Sequence, residues 1–249
     1  MKRFNVVFIG MLAIASLAQA GLVGLWEFNN PQNLTTATIG TDLGLTGSHT
    51  AVTGVSAGDG AAQIGVGSYY TVTNGVDGNG GGSYTNEWTL VYDLKCPLTN
   101  GYSSLLQTNT ANSNDGDLFT RNDGRIGLGA PGYSATGAVP KDTWFRLVVR
   151  VGTGNLFQLW IDGVQVLEGS MSDAKMGVDS LFGLESTLLL FADNDGEEEN
   201  VSVSMVAFYD ETLSVEAIEA LSAAGNSIPE PATMVLLGVG GMLFVRRRK

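Results

Sequence analysis

The chain has 249 residues, 44% hydrophobic and 15% charged, enough for one globular domain with a sizeable core plus added targeting segments. Its formal net charge is −12, and residues 21–227 alone carry 7 basic against 24 acidic side chains, a net of −17. So acidic a body repels nucleic acid and anionic membrane surfaces, which argues against nucleic-acid binding, and it is compatible with neutral partners, polycations or divalent metal.

The N-terminus comes first. Lys2 and Arg3 precede an apolar stretch over 6–17 and then Ala18-Gln19-Ala20. Positive head, apolar run and small residues at Ala18 and Ala20 form the pattern of a secretory signal peptide over 1–20, with cleavage after Ala20. An uncleaved membrane anchor is the alternative reading. Export is the expectation.

From residue 21 onward, Gly, Asn, Asp, Ser and Thr punctuate short apolar segments. Strands are predicted over 22–28, 63–72, 87–94, 104–108, 116–121, 125–129, 187–192 and 201–209. The clearest unit is WFRLVVRV-GTGN-LFQLWI-DG-VQVLEG. Phe145, Leu147, Val149 and Val151 fall on one face of a strand, and Trp144, Arg146, Val148 and Arg150 on the other. Asp162-Gly163 is the two-residue signal of a type I′ turn, so three antiparallel strands follow one another as a meander. About eleven short strands with almost no helix imply an all-β sandwich. Cys96, the only cysteine, excludes an internal disulfide and reads as a buried structural thiol. The glycine run 78–82 reads as a flexible loop, since no helix follows it to cradle a phosphate.

One helix is predicted late, in LSVEAIEALSAAG. Ser214 is the N-cap, Glu216 sits in the first turn, Leu213 and Ile218 form a hydrophobic staple, and Gly225 suits the C′ position. Residues 21–225 are thus the sandwich, and 226–249 a linker and tail. In the tail, 232–245 is an uncharged run of fourteen residues, short of the ~20 that span a bilayer comfortably. Arg246, Arg247, Arg248 and Lys249 follow it and would stay cytoplasmic.

Pro229-Glu230-Pro231, the apolar run and the basic end, in that order, resemble the PEP-CTERM sorting signal of Gram-negative bacteria. The resemblance implies recognition of Pro229-Glu230-Pro231 by a membrane-embedded exosortase, a transient inner-membrane anchor, and delivery to the outer surface or an exopolysaccharide-rich matrix. A plain C-terminal anchor is the alternative. The body has its own resemblance, carried by Gly21 to Phe28, Trp144-Phe145-Arg146-Leu147, Leu159-Trp160-Ile161-Asp162-Gly163 and Val206 to Ile218. These are similar to laminin-G-like, concanavalin A-like jelly rolls of secreted bacterial proteins, a fold that hosts lectins, adhesive modules, structural domains and glycosidases.

Candidate chemistry is thin. A Ser-His-Asp arrangement needs an imidazole, and the single histidine, His49, stands in loop-like GSHTAV with no G-x-S-x-G elbow in the chain. A glycosidase needs two facing carboxylates, whereas Glu27, Glu87 and Asp93 are isolated along the strands. Glu197-Glu198-Glu199 are consecutive and would point to opposite faces. The reading is therefore non-enzymatic. LLLFADNDGEEENVS offers hard oxygen donors on a tight turn, which makes Asp193 and Asp195 the candidate Ca²⁺ ligands, against a plain solvated turn. Laminin-G-like relatives often hold calcium at the sandwich rim, so the resemblance implies the same. The Asx-rich loop 112–117 is a second source of ligands or only a turn. Trp144 and Trp160 are the candidate sugar-stacking platform, against a place in the core, and Tyr69, Tyr70, Tyr84 and Tyr133 are undecided.

The expectation is an exported, exosortase-sorted sandwich that binds extracellular polysaccharide or another surface glycan, with calcium as a candidate aid. A purely structural matrix protein and a glycoside hydrolase are the rival readings.

Overall fold

The computed structural model describes residues 21–111, 118–129, 131–154, 156–170 and 182–228. Ala18 and Ala20, the loop 112–117, and the tail from Pro229 through Lys249 lie outside the described residues.

Fifteen described strands and one helix follow in chain order. They are β1 (Leu22–Trp26), β2 (Gly44–Thr46), β3 (His49–Thr53), β4 (Gly60–Ile64), β5 (Tyr69–Thr73), β6 (Trp88–Lys95), β7 (Ser103–Gln107) and β8 (Leu118–Thr120). After these come β9 (Ile126–Leu128), β10 (Gly132–Tyr133), β11 (Phe145–Gly152), β12 (Leu156–Ile161), β13 (Val164–Ser170), β14 (Thr187–Leu190), β15 (Ser202–Tyr209) and α1 (Val215–Leu221). The strands form two antiparallel sheets. The first runs β13-β12-β11-β6-β15-β4-β3, with β1 also paired to β15; the second runs β10-β9-β8-β7-β14-β5-β2. This is the all-β sandwich of jelly-roll type that the sequence implies.

Alternation places the core. Phe145, Leu147, Val149 and Val151 all point between the sheets and are fully buried, against Trp88, Tyr92, Phe157 and Phe208. Burying each such large apolar side chain stabilises the fold by about 1.5–3 kcal/mol. The meander is as the sequence reads it: Ile161 pairs with Val164 across a two-residue turn in which Asp162 (φ 48°) and Gly163 (φ 77°) are both left-handed. Such a turn matches the twist of the strands that flank it.

The outer face of the first sheet is also covered. Val91, Val148, Trp160 and Ala207 pack under α1 through Leu213, Ile218 and Leu221. Ser214 caps the helix, its Oγ accepting the Ala217 N–H at 3.2 Å. The helix stops earlier than expected, with Ser222 rather than Gly225 in its left-handed cap (φ 46°). Gly225 serves the following turn instead: it is left-handed itself, and a Cβ there would come within 2.8 Å of Val55 Cγ1.

Two further expectations are corrected. The stretch 63–72 is not one strand but parts of β4 and β5, which lie in different sheets. Gly65 and Gly67 make the break, with the Ser68 N–H donating to the Gly65 carbonyl and Gly67 left-handed at φ 74°. His49 is not in a loop. It opens β3, opposite Ile64 of β4.

Candidate functional site

The acidic turn after β14 is built around Asp193. Its side chain is nearly buried, and Oδ2 accepts the N–H groups of Asp195 at 2.9 Å and Glu197 at 2.8 Å. Gly196, left-handed at φ 95°, lets the chain reverse between them. The result brings one oxygen of each of Asp193, Asp195 and Glu197 within 4.8 Å of the others. Calcium–oxygen distances of 2.3–2.6 Å allow two ligands of one ion to stand that far apart, so one hard cation could reach all three carboxylates. Sequence reasoning named Asp193 and Asp195; the turn adds Glu197. The turn also belongs to the second sheet, because the Ser104 N–H of β7 donates to the Glu197 carbonyl at 2.8 Å.

The other two glutamates of the run leave this turn. Glu198 accepts the Gly67 N–H at 2.9 Å, and Glu199 accepts both the N–H and the hydroxyl of Thr99 through one oxygen. They line an open polar cleft of about 460 Å³ with Gln63, Lys95, Asn100 and Asp142. Burial pushes the Glu198 carboxyl above the ordinary range. Cys96 is buried close by, its thiol pushed up first by burial and then by the charges of Glu199 and Asp142.

The two candidate tryptophans part company. Trp160 is 5% exposed and packed under α1, so its ring is part of the outer cluster and presents no open face. Trp144, half-buried just before β11, carries the Lys95 ammonium 5.3 Å from its ring centroid, which puts it near the polar cleft. They do not form one platform.

His49 bonds the Tyr70 hydroxyl through Nδ1 at 2.8 Å, and burial lowers its pKa. The isolated strand acids have partners of their own: Glu27 accepts from Thr38, Glu87 from Thr153, and Asp93 from Arg146.

That last pair closes the far end of the domain. Arg146 also donates to the carbonyls of Leu221 and Asn226, both at 2.7 Å, and Asp93 accepts the Gly225 N–H. Ile228 packs on the outer cluster. The chain is therefore fastened to the sandwich up to the residue before Pro229. Among the described residues no helix is long and apolar enough to cross a membrane.

Comparison with known proteins places the address. The PEP-CTERM protein-sorting motif matches residues 227–249, and it marks an exported protein that exosortase sorts through a C-terminal membrane anchor. No curated protein matches the chain. Among solved structures, domain 4 of AbnA, an extracellular GH43 arabinanase of Geobacillus stearothermophilus in complex with arabinotriose, is similar at 15% identity and TM-score 0.57, over 82% of this chain and 99% of that one. Trypanosoma rangeli sialidase in complex with 2,3-difluorosialic acid is similar at 17% identity and TM-score 0.61, over 84% of this chain. The receptor binding domain of botulinum neurotoxin D follows at 14% identity and TM-score 0.58, over 81% of this chain. The chain spans 34% of the sialidase and 52% of the neurotoxin domain. At these identities the likeness is one of fold.

Proposed function

We propose that this protein is displayed at the outer surface, or released into the extracellular matrix, of a Gram-negative bacterium, and that its sandwich is a non-catalytic module binding extracellular polysaccharide or another surface glycan. The observation that carries the reading is the joining of two things. A sorting motif ends the chain, and the body before it matches 99% of a domain solved with arabinotriose bound.

Absence of catalysis is part of the proposal, and the placement of the acids supports it. Glu27, Glu87 and Asp93 are engaged with separate partners, and His49 is turned to the buried Tyr70 hydroxyl rather than to a serine. Calcium is the proposed aid. Asp193, Asp195 and Glu197 would hold it, and a bound divalent ion there would fix the turn beside β7.

The test is a glycan and exopolysaccharide array with the purified chain, run in calcium and again in chelator. Binding in both conditions supports the module without the metal, and binding lost in chelator supports both. No binding to any glycan, including polysaccharide of the native host, overturns the reading in favour of a structural matrix protein.

A further inference from the structure

One end of the second sheet gathers three side chains that no local motif unites. Tyr102 immediately precedes β7, Arg121 immediately follows β8, and Tyr133 ends β10. The register Ser103↔Thr120, Ser104↔Phe119, Phe119↔Gly127, Gly127↔Tyr133 sets Tyr102, Phe119, Arg121 and Tyr133 on one face, the face turned away from the core. There the Arg121 guanidinium stands 5.0 Å from the Tyr102 ring centroid and 5.3 Å from that of Tyr133. Tyr102 meets the edge of Phe119 at 5.8 Å and remains 37% exposed. The arrangement is an exposed aromatic ring with a cation held against it.

Charge singles this place out. The body carries only seven cations against 24 acids, yet Arg121 and Arg125 share the one carboxylate of Asp123. Arg121 Nε is 3.7 Å from that carboxylate, beyond hydrogen-bond reach, and has no hydrogen-bond partner. Arg125 is further engaged by the Thr136 hydroxyl at 3.1 Å. On the same face, opposite Phe119, the Ser104 hydroxyl is buried without a partner. The acidic turn reaches this strand through the Glu197 carbonyl, which the Ser104 N–H binds. Positive charge and a stacking surface coincide here, on a body that is otherwise strongly negative.

We infer that this face binds a carboxylate-bearing sugar ring, a uronate residue of an acidic polysaccharide. The inference rests on the carbohydrate-binding reading above and names its ligand class. The apolar face of the pyranose lies on Tyr102, as sugars stack on aromatic rings. The ring carboxylate takes the Arg121 guanidinium, whose planar donors match a carboxylate in a way that an ammonium does not. The two tyrosines hold the guanidinium in place before the ligand arrives, which reduces the ordering cost of binding.

The experiment is titration calorimetry on the full chain in mild detergent, with oligogalacturonate, its neutral methyl ester and neutral arabinotriose as probes. Oligogalacturonate is expected to bind, with the methyl ester at least tenfold weaker. Arg121→Gln should lose about ten- to hundredfold for the uronate, and Arg121→Lys should recover only part of it. Tyr102→Ala, which leaves the charge in place, should lose binding as well, and 0.5 M salt should weaken the unaltered protein. If Arg121→Gln fails to fold, Tyr102→Ala and the salt series decide. Equal binding of uronate and methyl ester, or of arabinotriose alone, overturns the uronate site and leaves the carbohydrate reading standing. Binding of no probe overturns the uronate site, and the glycan array then decides the wider reading separately. Uronate binding unchanged in Arg121→Gln and Tyr102→Ala also overturns the site.

Discussion

Arg146 closes on Asp93 with two parallel hydrogen bonds, Nε to Oδ1 at 2.7 Å and Nη2 to Oδ2 at 2.8 Å. The two residues are directly opposite in the β11–β6 register, and both are buried. Through them the end of α1 and the turn leading into the sorting motif are tied to the sheet. Removing one member of a buried pair strands the other's charge, at a cost of about 3–5 kcal/mol. Asp93→Asn and Arg146→Met are therefore expected to lower the Tm by roughly 10 °C in a thermal melt. They should also expose the chain near 225–228 to limited proteolysis, which mass spectrometry of the fragments would locate.

Trp160 belongs to packing. Trp160→Ala should cost about 3–5 kcal/mol in denaturant unfolding, as large-to-small changes in a core do. Trp144→Ala, at a half-buried position outside the strands, should cost much less. Equal losses for the two would contradict the placement of Trp160 under α1.

His49 sets a slope on the acid side. Its folded pKa is lowered by burial below the usual value of 6.5, so the unfolded chain takes up its proton first. Stability from this residue is thus unchanged above pH 6.5 and falls as pH drops below it. Glu198, Asp210 and Glu211 are raised by burial and act in the opposite sense, in the carboxylate range further down. The expected outcome is that His49→Gln reduces the drop in Tm between pH 7 and pH 5.5. An unaltered drop would assign the slope elsewhere.

The Cys96 thiol should be inert. Burial raises its pKa and closes it to reagents, so a thiol-titrating disulfide is expected to find no reactive group in the folded chain and one after denaturation.

Much of this fold is local and therefore legible in the sequence. Alternation from Phe145 to Val151 gives the inward face directly, and Asp162-Gly163 gives the turn, because each depends on residues adjacent in the chain. The split of 63–72 was also written locally, in Gly65 and Gly67. It was masked by apolar residues that continue on both sides and enter different sheets. The outer face of β11 is where alternation misleads. Alternation puts Arg146 on the face away from the core, but α1 folds over that face, bringing the Leu221 carbonyl from 75 residues away, and Asp93 supplies the partner. The candidate site divides the same way. Asp193, Asp195 and Glu197 share one turn and could be picked from their spacing, whereas Tyr102, Arg121 and Tyr133 come from three strand ends and meet only through register.

The proposed role of the sandwich is to hold polysaccharide without cutting it. Affinity electrophoresis of the chain through gels containing an acidic exopolysaccharide, paired with a reducing-end assay on the same mixture, tests it most directly. Retarded migration with no new reducing ends is the expected result. Free migration through every polysaccharide tried, or steady release of reducing ends, would contradict it.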